Sequence, residues 1–280
     1  MIPATYHMHS NYCDGKGKLE DYVLEAIKRK LIAIGFSSHA PIPFKTVWNM
    51  AEQKLQSYID EASFLREQYQ DVIEIYIGLE VDYCKNIIGP KSLFITDLPL
   101  DYTIGSIHLL KHPEKEKYYE IDYTEEHFDQ MLFECFENDI FALLQNYYQQ
   151  IREMVIYQPP TIIGHLDLIR KNNTKKRHFQ ETEEWYKEEV LKTLEIIANS
   201  PCILEVNPSG LYRGKEPKMY PDYWVLKEAY QRGIPLVVDA DAHAPENINR
   251  CFDQAVDAIK KAGYKEVKIL KGKEWISYKL

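Results

Sequence analysis

The feature of this 280-residue sequence that most limits its fold is a regular alternation of short β-prone runs and longer amphipathic segments. The β-prone runs fall at residues 3–9, 32–38, 73–83, 102–110, 161–169, 202–208 and 235–243, with a last short one at 267–270. Helical patterns occupy 19–30, 51–70, 125–156, 183–199, 221–232 and 246–262. The strand at 235 is entered through Arg-Gly-Ile-Pro, a helix stop followed by a strand start. Seven or eight βα units without a low-complexity linker predict an α/β fold, a closed parallel barrel forming one domain over residues 1–280. An open doubly wound sheet would need a Gly-rich phosphate loop after an early strand. Neither GxGxxG nor GxxxxGK[ST] occurs.

Composition narrows the setting. The N-terminal MIPATYHMHS has neither the basic start nor the apolar run of a signal peptide, and no stretch is apolar for the roughly 18 residues of a membrane span. Cys13, Cys84, Cys135, Cys202 and Cys251 are scattered and form no CxxC pair, so a disulfide framework or zinc ribbon is not expected and a reducing cytoplasm fits best. A net charge of −9 weighs against a protein that tracks nucleic-acid phosphates.

Strand periodicity sharpens the reading. Side chains at i and i+2 share a face, so His7 and His9 point together, as do Asp241 and His243 in Asp-Ala-Asp-Ala-His. On the second strand Ala33, Gly35, Ser37 and His39 share a small or polar face, with Ile32, Ile34 and Phe36 on the other. Glu80 lies opposite Ile77 and Leu79, and is therefore inward; His108 and His165 end their own runs. Six of the nine histidines thus fall at or just past the C-terminal ends of predicted parallel strands, which in such barrels converge on the active face. Any one of them alone would by default be a hydrogen-bonded core or loop histidine. Six placements at equivalent strand ends are a different matter. His112, His127 and His178 lie in loop or helix segments and are assigned no chemistry.

His7, His9, Asp14, His39, Glu80, His108, His165, Asp241 and His243 offer mixed imidazole and carboxylate donors, suited to zinc, iron or manganese. The set exceeds one four-coordinate site and leaves room for water in a centre of two or three divalent ions. Three such ions would outweigh the charge of Asp14, Glu80 and Asp241. A phosphate dianion and a hydroxide would restore the balance, pointing to a small phosphomonoester.

With these residues in view, the sequence resembles the polymerase-and-histidinol-phosphatase (PHP) family. The signatures read, in order, HMHSNYCDG, GFSSHAP, IGLEVDY, GSIHLL, IIGHLDLIRK, EVNPSGLYRG and VDADAH. Within the family, the first, fifth and sixth look most like the histidinol-phosphate phosphatase branch. The resemblance implies a distorted (β/α)7 TIM-like barrel with a trinuclear centre. One ion would take His7, His9, Glu80 and Asp241; a second Glu80, His108 and His165; a third Asp14, His39 and His243. Phosphate-binding arginines would fall on Arg170 and Arg213, and Asn207 would belong to the substrate site. The family's usual Gly-Ser-Asp-Ala-His is here Asp239-Ala240-Asp241-Ala242-His243. Asp239, inward by parity, is either a partner of a ligand or a buried polar group satisfied by a neighbouring strand.

The reaction so implied is hydrolysis of L-histidinol phosphate, a step of histidine synthesis, by metal-activated water. Arg170 and Arg213 would stabilise the phosphoryl oxygens, with Asp14 and His243 as nearby groups for the leaving-group proton. The basic run 170–178 is by default solvated, with guidance of an anionic substrate as the functional alternative. Cys13 lacks a free base beside it and reads as structural. Three other readings stay in play: a PHP phosphodiesterase or exonuclease, which would favour a basic groove; an amidohydrolase, which would call for a metal-bridging lysine or another carboxylate; and a non-catalytic metal- or partner-binding domain, which should have lost ligands.

Overall fold

The computed structural model describes residues 2–280. Chain alternation becomes β1 (Ala4–Thr5), α1 (Leu19–Lys28), β2 (Ala33–Phe36), α2 (Leu55–Gln68), β3 (Glu74–Asp82), α3 (Leu93–Thr96) and β4 (Tyr102–Ser106). There follow β5 (Leu109–Lys111), β6 (Tyr118–Glu120), α4 (Glu125–Phe136), α5 (Ile140–Tyr157), β7 (Ile162–Ile163), α6 (Glu184–Ala198) and β8 (Ile203–Val206). The chain ends with α7 (Gly210–Arg213), α8 (Tyr223–Gln231), β9 (Leu236–Val238), α9 (Phe252–Ala262), β10 (Glu266–Lys271) and β11 (Glu274–Lys279). Seven strands form one parallel sheet in the order β1-β2-β3-β4-β7-β8-β9. The ends of that sheet meet through a parallel bridge between Met8 and Ala242, where His9 N donates to Ala242 O at 2.8 Å and Ala242 N to His7 O at 3.2 Å. The result is the seven-stranded, nearly closed barrel of the TIM-like class. Among the described residues no helix is long and apolar enough to cross a membrane.

Alternation of side chains builds two cores. Ile34 and Phe36 of β2 and Ile75, Ile77, Leu79 and Val81 of β3 join the layer that the helices cover. Ala33, Tyr76, Tyr102 and Ile104 point the other way, into the barrel. The interior floor is aromatic: Tyr6 packs on Tyr76, Tyr102 and Trp275 with ring centroids 6.1, 5.9 and 5.0 Å away. Tyr102 donates to Phe36 O at 2.8 Å, and it fits because Gly35 and Gly78 carry no side chain. A Cβ on either would lie 2.4 or 2.5 Å from the Tyr102 phenol. The run at 267–270 is the first arm of the β10–β11 hairpin, not an eighth barrel strand. Leu270 N donates to Tyr6 Oη at 2.7 Å, so the hairpin covers this floor and leaves the C-terminal mouth for chemistry.

The structure departs from the sequence expectation at four further places. The run 102–110 stops at Ser106, because Leu109–Lys111 leaves the barrel to pair antiparallel with Tyr118–Glu120. The run 161–169 shortens to Ile162–Ile163 and coils into a 3-10 turn at Leu168–Arg170. The helix expected over 125–156 is two helices. Glu137 and Asn138 adopt left-handed φ of 52° and 65°, and the Asp139 side chain accepts from Ala142 N to start α5. The helix expected from 246 begins at Phe252, after a 3-10 turn at Pro245–Asn247 and a left-handed Cys251.

Candidate metal centre

Each strand end delivers its histidine or carboxylate to the same mouth. His7 and His9 follow β1, His39 follows β2, Glu80 is on β3 itself, His108 follows β4 and His165 follows β7. Asp241 and His243 follow β9, with Asp241 held at φ 46°, a left-handed conformation that non-glycine residues adopt at a cost and mostly in special sites.

Glu80 sits at the centre, fully buried, with its two oxygens facing different histidines. Oε2 lies 3.2 Å from His7 Nε2, 3.4 Å from His9 Nε2 and 3.1 Å from His39 Nδ1. Oε1 lies 3.0 Å from His165 Nε2 and 3.6 Å from His108 Nε2, and accepts from Ser106 Oγ at 2.6 Å. Donor atoms bound to one ion at about 2.1 Å stand about 3.0–3.4 Å apart, a range that holds all of these separations to histidine except the longer one to His108. His9 Nε2 is also 3.2 Å from Asp241 Oδ1, and His243 Nε2 is 3.2 Å from Asp14 Oδ2.

Whether these residues fit metal can be judged from the imidazoles alone. His7 Nε2, His9 Nε2 and His39 Nδ1 are buried without a hydrogen-bond partner, although all three face one carboxylate oxygen. A buried polar atom left so costs about 1–3 kcal/mol, and a cation between these nitrogens and Glu80 would relieve it. Their donor atoms fall into four overlapping groups: His9, Asp14, His39 and His243; His7, Glu80 and His165; His7, His9 and Asp241; and His39, Glu80 and His108. The residues fit divalent metal. The grouping differs from the division that the resemblance implied, since His9 also reaches Asp14, and His39 also reaches Glu80 and His108.

Carboxylates behind the ligands hold the rings. His7 Nδ1 is 2.5 Å from Glu205 Oε1, and the other Glu205 oxygen accepts from His165 N at 2.6 Å. His108 Nδ1 is 2.7 Å from Asp82 Oδ1, while Asn49 Nδ2 donates to Asp82 Oδ2 at 3.0 Å. Such partners fix which ring nitrogen faces the ion. The protein's own charges set the protonation. Burial lowers the His9 pKa to about 3, with His243 and His39 adding to the effect, and so keeps its lone pair free. Burial pulls His108 the same way, but Glu80 and Asp82 outweigh it and raise the value to about 10. Glu80 is held well below the usual carboxylate range by His7, His39 and His108 against the opposing effect of burial. Asp239 accepts from Tyr6 N at 2.5 Å and is pushed up to about 7 by burial and then by Glu205.

Asp82 and Glu205 were not singled out from sequence. The signal existed: Asp82 is two residues beyond Glu80, and Glu205 two before Asn207, each on the face that strand parity makes inward.

The expected substrate residues divide. Arg213 reaches the cavity, its Nη1 3.0 Å from His243 Nδ1 and 3.5 Å from Asp241 Oδ1. Arg170 does not. It is only 3% exposed and pairs with Asp167 at 2.8 Å, Asp222 at 2.7 Å and Glu181 at 2.9 Å, a correction to its expected place on phosphate. One residue of 3-10 turn makes the difference, because Lys171 rather than Arg170 lines the cavity. Asn207 is likewise turned inward, donating to Glu205 Oε2 at 3.2 Å and Asp241 Oδ2 at 3.3 Å. It orients those carboxylates rather than lining the space above them. The cavity itself measures about 290 Å³. Asp14, His39, Glu80 and His165 lie at its metal end, and Trp48, Glu120, Asp122 and Tyr123 also line it.

Comparisons with known proteins bear on the family and the fold. The family model described as "PHP domain" matches residues 5–209. The histidinol-phosphatase of Bacillus subtilis (strain 168) is 30% identical over 263 residues, 88% of this chain and 96% of that protein. A solved Listeria monocytogenes chain superposes with a TM-score of 0.75 at 21% identity, covering 90% of this chain and 99% of its own. The histidinol phosphate phosphatase of Lactococcus lactis, solved with zinc, L-histidinol and phosphate, gives a TM-score of 0.67 at 23% identity over 98% of each chain. A family match spanning most of the barrel, carrying its ordered histidine motifs into one mouth, establishes that the chain belongs to the PHP-domain family.

Proposed function

We propose that the chain hydrolyses L-histidinol phosphate to L-histidinol and inorganic phosphate, with two or three divalent ions (zinc, iron or manganese) held by His7, His9, Asp14, His39, Glu80, His108, His165, Asp241 and His243. The observation that carries it is the division of Glu80, one oxygen toward His7, His9 and His39 and the other toward His108 and His165, at the end of a cavity sized for a small ester. The curated Bacillus subtilis histidinol-phosphatase, similar over nearly its whole length, supports the substrate.

Ions in such a site supply Lewis-acid polarisation of the phosphoryl group and a water acidic enough to attack near neutral pH. The chain's own residues do the rest. Lys171 and Arg213 turn positive charge to the cavity for the phosphoryl oxygens. Glu205 and Asp82 keep His7 and His108 in register. Asp14 and His243, paired at the cavity wall, would hold an ion beside the departing alkoxide.

One metal-loaded preparation should be given L-histidinol phosphate, a nucleoside monophosphate and single-stranded DNA. We expect kcat/KM for histidinol phosphate to exceed the others by at least ~100-fold, or about 2.7 kcal/mol of transition-state discrimination. A clear preference for nucleotide or DNA would overturn the substrate and leave the metal centre standing.

A further inference from the structure

Apart from the metal ligands, the charged residues lining the cavity are two cations, Lys171 and Arg213, and two carboxylates, Glu120 and Asp122. Three of these four charges are already answered. Lys171 Nζ is 2.8 Å from Asp122 Oδ2, and Arg213 lies against Asp241. Asp122, despite burial, is lowered to about 2 by Lys171 and His108, so its carboxylate already has a cation beside it. Glu120 is different. The groups that act on its carboxylate are His127 and Asp122, at a distance, and no hydrogen bond contributes; burial, with Asp122, raises its pKa. A half-buried carboxylate in that position gains most from an incoming cation.

Its place is fixed by the backbone. Glu120 ends the second arm of the β5–β6 hairpin, opposite Leu109, and the next residue, Ile121, donates its N–H to His108 O at 2.9 Å. The hairpin is therefore tied to a ligand-bearing strand end. Tyr118, on the same face as Glu120, stacks on Phe44 with centroids 4.7 Å apart and planes 12° from parallel, joining the hairpin to the loop that carries Trp48. Trp48 and Tyr123 add aromatic faces to the same cavity, surfaces that also attract ammonium groups.

We propose that Glu120 is a specificity-determining residue that binds the ammonium group of the substrate, so that the site favours phosphomonoesters that also bear a primary amine. The proposal rests on the phosphatase reading above and adds to it the group that selects among phosphomonoesters. A primary amine is protonated near neutral pH, and Glu120 lines the same cavity as the ligand residues that would face the phosphoryl group, so one substrate could meet both.

The amine alone is tested with 2-aminoethyl phosphate against ethyl phosphate, which share everything else that reaches the centre. The zinc-loaded native protein should favour the amine at least ~10-fold in kcat/KM. In Glu120→Gln, at equal zinc content, that ratio should fall toward one, and in Glu120→Lys it should invert. An unchanged ratio in both variants, with the native preference present, would overturn the role of Glu120 and spare the phosphatase reading. Absence of turnover of histidinol phosphate and of both probes by the native protein would instead remove the phosphatase reading itself, and this proposal with it.

Discussion

Glu80→Gln should retain the fold and lose at least ~100-fold in kcat, the order of effect seen when one electrostatic catalytic group is removed. The amide keeps the shape and can still meet Ser106, which contacts Glu80 Oε1 at 2.6 Å. It cannot supply negative charge to both sides of the site. The imidazoles of His7, His9 and His39 would then face a neutral oxygen or an NH₂ in place of a shared anion, so ion occupancy should fall with turnover. Near-native kcat with full metal content would show that Glu80 does not join the two sides.

Arg170→Met should be felt in stability, at roughly 3–5 kcal/mol, because removing one member of a buried ion cluster leaves its partners uncompensated. Asp167, Glu181 and Asp222 all depend on this guanidinium, which also donates to Met219 O at 3.2 Å. Asp167, carried up to about 6 by burial against the pull of Arg170, would take a proton and soften part of the loss. Through Met219, whose carbonyl accepts from the guanidinium, and with Lys218 Nζ donating to Arg170 O at 2.5 Å, Arg170 is joined to the segment that leads from α7 to α8. Denaturant unfolding of the metal-loaded protein measures the effect. Native stability combined with a large rise in KM would return Arg170 to the phosphate contact expected from the motif.

The contrast between Arg170 and Glu80 shows how far the sequence could be read. Glu80 lies inside a strand, where period-two geometry is enforced by neighbours on both sides, and parity alone turned it inward with Tyr76 and Asp82. The same logic puts Ile75, Ile77 and Leu79 under the helices. Arg170 lies in a 3-10 turn after a two-residue strand, where no such period applies and a single residue decides which basic side chain faces the cavity. Asn207 shows a third case: its strand face and its partner Glu205, two residues earlier, follow from parity, but its other partner, Asp241, follows β9 and is set by the pairing of β8 with β9. The split of residues 125–156 into two helices was written in Glu137-Asn138-Asp139, whose left-handed turn and cap compete with the helical periodicity around them. The hairpin that carries Glu120 has no counterpart in the βα alternation at all.

A centre of more than one ion built around Glu80 can be counted by elemental analysis of the protein, stripped and then reconstituted with zinc, iron or manganese. Two to three equivalents of divalent metal per chain are expected, falling in Glu80→Gln. At most one equivalent after reconstitution of the native protein would contradict such a centre.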